Sequence, residues 1–381
     1  MALMGTDLFI DDNGRRPSRH RRKINLSPIL LLLAFFSAAH ANSALHPACA
    51  QDTKDPAVHE HAYLPIGGIE QWVTIDGADC ANPVILFVHG GPGNPLSPLM
   101  DALYGTWRKS FTLATWDQRL SGRTYARNEP VVELTEERLD ATTLTIDQLV
   151  SDGIEVAEHL RGKLGKRKII LTGSSWGSVL GAHMAHERPD LFHAYVGVAQ
   201  LVNARDNVSA SYSATLDAAR RKQDAPAIAT LEKLGPPPWT HPRNFGQMRR
   251  IIRKYEIETT SPAPKLEFSA EYRSDADMAA YEAGEEISFI KYVGLKGDGM
   301  AAKVDLPALG VKYALPMLFV QGEEDLLTRP AVTHAFVDSL QAPHKKLVMV
   351  PGAGHDPNFA LIEAHFRVLM EAAEAGKRPE K

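Results

Sequence analysis

The chain has 381 residues, 44% of them hydrophobic and 23% charged, with a formal net charge of −4. That composition belongs to a globular protein with ample chain for a large core. The slight negative balance gives no basic footprint for nucleic acid, and the length fits one large α/β domain with an insertion, or two domains.

The first fifty residues differ from the rest. Arg15, Arg16, Arg19, Arg21, Arg22 and Lys23 form a basic run, an apolar run follows from Ile29 to Ala39, and Ala39-His40-Ala41 and Ala48-Cys49-Ala50 each fit a small-residue cleavage site. This order predicts a signal peptide and basic leader over 1–50, cleaved near Ala41 or Ala50, and an exported protein, periplasmic or secreted. The apolar run is shorter than the roughly 20 residues that cross a bilayer, so no stable membrane span is expected in the mature protein. The two cysteines are Cys49 and Cys80. Cleavage after Ala50 would leave Cys80 alone and make an internal disulfide impossible.

Residues 51–66 read as a linker. His59 and His61 stand two apart, which suits a metal ligand pair, but no third ligand lies nearby in the chain, so an exposed tail is the better reading. Strand-like runs then recur. Gln71–Ile75 alternates and ends at Asp76-Gly77, a turn signal. The runs Pro83–Gly91, Phe111–Asp117, Lys168–Gly173, Ala194–Ala199, Pro316–Gly322 and Lys345–Gly352 are continuous and apolar, as in strands buried on both faces. Helical periodicity fills the intervals: Thr145–Leu164, the stretch after Ser175, and the segments after the last two strands. Strand alternating with helix predicts an α/β fold, a mostly parallel sheet with helices on both faces. One interval breaks the rhythm. Residues 203–314 are too long for a single crossover and too rich in apolar residues for a disordered linker, and are expected to form an inserted helical cap. The core is then split into 67–202 and 315–381.

In an open parallel sheet, functional residues collect beyond the carboxyl ends of the strands. Four features fall there. Ser175 lies in "LTGSSWGSVLG" (Leu171–Gly181), a Gly-x-Ser-x-Gly turn between a buried strand and a helix. Such a turn strains the serine, exposes its hydroxyl and sets it at a helix N-terminus. Ser174 occupies an x position and points elsewhere; Ser178 lies one turn into the helix and reads as structural. "HGGPG" (His89–Gly93) follows a buried strand, and its glycines allow backbone amides to approach a developing oxyanion. The amides of Gly91 and Trp176 are the expected pair, with His89 ordering the loop. Asp325, in "GEEDLLT", follows the penultimate strand and is expected to orient a histidine base; Glu323 and Glu324 are neighbouring substitutes. His355, in "GAGHDP", follows the last strand and completes the chain order Ser…Asp…His, with Asp356 helping to shape its loop. There is no His-Glu-x-x-His signature and no Gly-x-Gly-x-x-Gly after the first buried strand, so no metal or cofactor is expected.

These motifs, together with "WDQRLSGRT" (Trp116–Thr124), resemble the α/β-hydrolase superfamily, and within it the proline iminopeptidase branch, over about Gly68 to Glu371. Leu120, Thr124 and Ser174 depart from that branch's usual glycine, serine and glycine. The resemblance implies release of an N-terminal residue, typically proline, from a small or short peptide substrate. It also implies acidic cap groups that hold the free α-amine. Glu232, Glu282, Glu285 and Glu286 are candidates by location only. Asp117 and Arg119 are expected to form an ion-paired brace under the oxyanion loop. An esterase, lactonase or amidase acting on an uncharged acyl group is the alternative, and a non-enzymatic binding protein on the same fold is a third reading. The sequence leaves oligomeric state open.

Overall fold

β-branched and aromatic runs build the sheet. In the computed structural model, which describes residues 45–50, 53–129 and 134–376, they form β1 (Val58–Ile66), β2 (Ile69–Gly77), β3 (Val84–Val88), β4 (Thr112–Trp116), β5 (Ile169–Ser174), β6 (Phe192–Val198), β7 (Met317–Gly322) and β8 (Lys345–Val350). The basic and apolar runs of the leader lie outside the described residues. The strand order is β1-β2-β4-β3-β5-β6-β7-β8. β1 and β2 form an antiparallel hairpin that joins β4, and every later pairing is parallel.

The helices are α1 (Met100–Tyr104), α2 (Gly122–Asn128), α3 (Glu136–Ala141), α4 (Ile146–Lys163), α5 (Trp176–Glu187), α6 (Ala204–Arg221), α7 (Ala225–Leu234), α8 (Pro242–Thr259), α9 (Asp275–Val293), α10 (Pro330–Ser339) and α11 (Phe359–Gly376). Strand alternation assigns them to two layers. Ile170, Val196 and Leu318 point into a core shared with Leu361, Val368 and Leu369 of α11. Tyr195, one residue out of step with Val196, faces the other way and packs on Gly181 of α5. Between β6 and β7 the chain makes α6 to α9, and α6, α7 and α8 share a small core around Leu231, Met248, Ile252 and Tyr255.

Three readings change. Residues 58–66, taken as linker, are the edge strand β1, because each has a partner on β2 from Val58↔Gly77 to Ile66↔Ile69. The hairpin turn is not Asp76-Gly77, which ends β2, but Gly67-Gly68, whose φ values of +54° and +81° suit glycine. Cys49 and Cys80 are bonded as a disulfide, with Cα atoms 5.3 Å apart. The segment carrying Cys49 is also docked, since the His46 amide donates to the Lys163 carbonyl at 2.8 Å.

Candidate active site

β5 ends in the turn that carries Ser175. Its backbone sits at φ 51°, ψ −119°, a strained conformation for a residue with a side chain, and it caps the N-terminus of α5. Both flanking glycines are required by packing. A Cβ on Gly173 would lie 2.3 Å from the Gly177 carbonyl oxygen, and one on Gly177 would lie 2.1 Å from that of Val88. The turn therefore closes only with glycine on both sides of the serine. Ser178 is structural, donating to the Ser175 carbonyl at 2.5 Å and accepting from the Leu201 amide at 3.0 Å.

The half-buried Ser175 Oγ lies 3.0 Å from His355 Nε2, and His355 Nδ1 lies 3.1 Å from Asp325 Oδ2. Three separate loops, after β5, β7 and β8, thus bring the three expected residues together. Asp325 is fully buried and accepts from the amides of Leu327 and Thr328 at 2.8 and 2.7 Å, from Thr328 Oγ1 at 2.6 Å and from Gln321 Nε2 at 2.9 Å. Burial alone would raise its pKa, but the charge and hydrogen bond of His355 and the Thr328 donors bring it below the usual carboxylate value. Burial likewise disfavours charge on His355, yet the Asp325 carboxylate overrides it and raises the imidazole. The pair is therefore built around an anionic Asp325 that stabilises a proton on His355. Glu323 is exposed, and Glu324 accepts from the Gly352 and Ala353 amides at 3.1 and 2.9 Å, fixing the histidine loop. Asp356 pairs with Arg249 and Arg253.

The glycine loop after β3 lies beside the serine: a Cβ on Gly90 would be 3.4 Å from Ser175 Cβ. Gly91 follows at φ +108°, and Trp176 is the first residue of α5. His89 is buried, with its pKa lowered to about 4 by desolvation; it accepts from the Gln118 amide at 3.1 Å, so it orders the loop as a neutral ring. Asp117 and Arg119 do not pair with each other. Asp117 accepts from Ser97 Oγ at 2.6 Å and the Arg123 amide at 3.0 Å, and burial pushes it up to about 7. Arg119 turns the other way, to Asp152 and the Gly67 carbonyl. Both residues lie in the loop past the end of β4, where partners from Ser97 and from α4 decide their directions, which a linear reading of "WDQR" cannot show.

Of the four acidic candidates, Glu285 reaches the site. Its carboxylate accepts from Asn94 Nδ2 at 2.8 Å, and a Cβ on Gly93 would sit 2.8 Å from Glu285 Cα, so α9 rests on the glycine loop. Burial raises the Glu285 pKa. Glu232 pairs instead with Arg220 on the surface, 3.1 Å away, and Glu282 is exposed. Glu286 is half-buried. Glu256, not anticipated, is buried on α8 and accepts from the amides of Leu326 and His355 at 2.8 and 3.1 Å. It joins the two loops that carry Asp325 and His355. The sequence does hold a signal for it. Glu256 continues the i, i+4 row of Met248 and Ile252, so it is a charged residue on an apolar stripe.

An eight-stranded, mostly parallel sheet in this order, with a serine elbow after β5, an acid after β7 and a histidine after β8, defines an enzyme of the α/β-hydrolase class. A family model described as serine aminopeptidase, S33, matches residues 81–359, and the chain belongs to that family. The probable aminopeptidase YbaC of Bacillus subtilis (strain 168) is 28% identical over 77% of this chain and 90% of its own length. A probable proline iminopeptidase of Streptomyces coelicolor is 26% identical over 84% of this chain and 96% of its own. The crystal structure of proline iminopeptidase from Mycobacterium smegmatis shares the fold with a TM-score of 0.58 at 17% identity, covering 84% of this chain and all of that one (100%).

Proposed function

We propose that the protein is a serine hydrolase that works through an acyl-enzyme on Ser175 and releases the N-terminal residue, proline or a similar one, from short peptides. The observation that carries this is the continuous relay from Ser175 Oγ through His355 to buried Asp325, with 3.0 and 3.1 Å steps. His355 takes the hydroxyl proton as Ser175 attacks the scissile carbonyl, and Asp325 stabilises the imidazolium. The amides of Gly91 and Trp176 receive the oxyanion. The tetrahedral intermediate collapses, and His355 passes its proton to the leaving amine. Water then repeats the sequence on the ester and frees the acid.

Glu285 supports the aminopeptidase reading over the esterase one. It is a carboxyl held against the oxyanion loop by Asn94, and burial makes it costly to ionise without a cation beside it. A substrate α-ammonium supplies that cation. The test is hydrolysis of a proline arylamide against a short-chain aryl ester. Ester cleavage without arylamide cleavage sinks the peptidase reading and leaves an esterase, and activity that survives Ser175→Ala sinks the mechanism.

We further propose that the protein is exported and cleaved near Ala41. The basic and apolar leader supports export, and the Cys49–Cys80 disulfide fits an oxidising compartment. Cleavage after Ala50 would discard the half of that bond that anchors residues 45–50. Among the described residues, no helix is long and apolar enough to cross a membrane. Mass spectrometry of the protein from producing cells checks this: an N-terminus at Met1 or beyond Ala50 counts against it.

A further inference from the structure

We propose that the β1–β2 hairpin binds one divalent transition-metal ion of the zinc class through His59, His61 and Asp76, with Glu271 positioning His61.

The site is made by strand register. His59 lies opposite Asp76, and His61 lies opposite Thr74. Side chains alternate along a strand, so His59, His61 and Asp76 project from the same face of the hairpin. His59 Nδ1 is 2.5 Å from Asp76 Oδ1, His61 Nε2 is 2.9 Å from Asp76 Oδ2, and the three donor atoms lie within 4.8 Å of one another. A four-coordinate zinc shell, with bonds of about 2.0–2.2 Å, needs donors about 3.4 Å apart, so small side-chain rotations open this cluster around an ion. Binding exchanges the protons now shared with Asp76 for the metal.

The second ring nitrogen of His61 is already committed. Nδ1 faces Glu271 Oε1 at 3.2 Å. That is the carboxylate–histidine–metal arrangement, in which an outer carboxylate fixes the tautomer that leaves the other nitrogen free to ligate. His61 and Asp76 are largely buried, with side chains 16% and 11% exposed, while His59 is 76% exposed. Two ligands are thus held in place, and the third stands at the mouth, able to close over an ion.

Charge points the same way. The cluster lines a cavity of about 370 Å³ that also includes Asp101, Arg108 and Glu271. Three carboxylates face one guanidinium there, and Arg108 divides its charge between Asp101 at 2.5 Å and Asp76 at 3.7 Å. Arg123 meets Glu271 at 3.4 Å but divides its charge with Asp277 at 2.9 Å. The wall is left with a surplus of negative charge that a divalent cation neutralises. Two imidazoles among three donors select zinc, nickel, cobalt or copper over calcium and magnesium, which take oxygen. The remaining coordination position opens on the cavity.

This site is separate from the serine. Asp76 pairs with Leu113, near the start of β4, whereas Ser175, Asp325 and His355 follow strand ends. Glu271 comes from the helical insertion, so the ion would pin the insertion to the sheet edge.

The experiment is calorimetric titration of untagged, chelator-treated protein with zinc and, in separate runs, with calcium, on wild type, His59→Ala/His61→Ala and Glu271→Gln. Melting temperatures in chelator confirm that each variant is folded. The expected result is one zinc per chain in wild type, loss of that binding in the double variant, and about 10–100-fold weaker binding in Glu271→Gln. Zinc should raise the melting temperature of wild type and leave that of the double variant unmoved. Equal zinc binding by wild type and the double variant overturns the proposal, as does no binding at all. Binding of calcium as tight as that of zinc overturns the assignment of the metal class.

Discussion

The two ends of the sheet make polar sites in opposite ways. At the carboxyl end, Ser175, Asp325 and His355 follow three strands, and backbone geometry fixes each of them. Ser175 sits on a strained elbow, Asp325 is gripped by two amides, and the His355 amide is held by Glu256. At the edge hairpin, His59, His61 and Asp76 meet only because two strands pair in one register, and one of the three stays exposed. The first kind of site is preorganised and suits a transition state. The second is adjustable and suits an ion that completes it.

The sharpest break in this comparison comes from the relay. Ser175→Ala should reduce kcat by about four orders of magnitude or more, with little change in melting temperature. A residual rate above one-thousandth of wild type, in protein free of wild-type contamination, would move the nucleophile elsewhere. Asp325→Asn should cost up to about 10⁴-fold, because the histidine loses the anion that sets its tautomer. It should also move the pH profile. His355 must be neutral to accept a proton; burial disfavours its charge, but the Asp325 carboxylate overrides this and holds the imidazole above its ordinary value. The acid limb of kcat/KM should therefore fall, as pH is lowered, at a higher pH than an ordinary histidine would give. Without Asp325, burial dominates and the limb should shift to lower pH. An unmoved limb would mean that another group controls it.

On the hairpin side, the disulfide closes a loop with a sequence separation of 31. Loop-closure entropy gives it about 3–4 kcal/mol. Cys49→Ser should lower the melting temperature by several degrees while leaving kcat nearly intact, since the bond ties the segment before β1 and not the serine end. A kcat loss as large as the stability loss would show that the two regions are coupled.

Recognition gives a smaller effect. Glu285→Gln should reduce kcat/KM for a substrate with a free α-amine by about 10–100-fold, the worth of one hydrogen bond to a charged group. Aryl ester turnover should be unchanged. Equal losses on both substrates would make Glu285 a brace for the Asn94 loop and not an amine contact.

The same contrast explains what could be read from the sequence. Gly173, Gly177, Ser175, Asp325 and His355 each lie within a few residues of a buried apolar run, so local pattern places them. β1 carries a weak sequence signal, because "HEHAYLPI" lacks a clean alternation and carries Pro65, which an edge strand tolerates but a central one does not. Asp76 joins His59 across 17 residues of chain, and only the strand register brings them together. Arg119 pairs with Asp152, 33 residues away on α4, a partner that the local pattern around Asp117 does not reveal. The disulfide was obscured by the choice between two cleavage sites, a question of processing and not of folding. In the helical insertion, periodicity identifies helices but not which of their acids turn inward. Glu285 and Glu256 were settled by packing against loops from other parts of the chain.

Glu256 is where the insertion touches the relay, and it should produce the smallest change. Its two carboxylate oxygens accept from the Leu326 and His355 amides, one in the loop after β7 and one in the loop after β8. Burial raises its pKa first, and the Asp325 charge adds to that, while His355 and Arg249 oppose it. Glu256→Gln keeps the volume and one acceptor, but its amide nitrogen cannot accept from an N–H. One of the two loop bonds is therefore lost, at a cost of about 1 kcal/mol. Removing the charge also takes away an anion that helps to hold a proton on His355, so the acid limb of kcat/KM should move slightly toward lower pH. A purely structural role would lower the melting temperature and leave that limb in place. A limb that shifts while KM stays constant would mean that the insertion tunes the histidine as well as covering it.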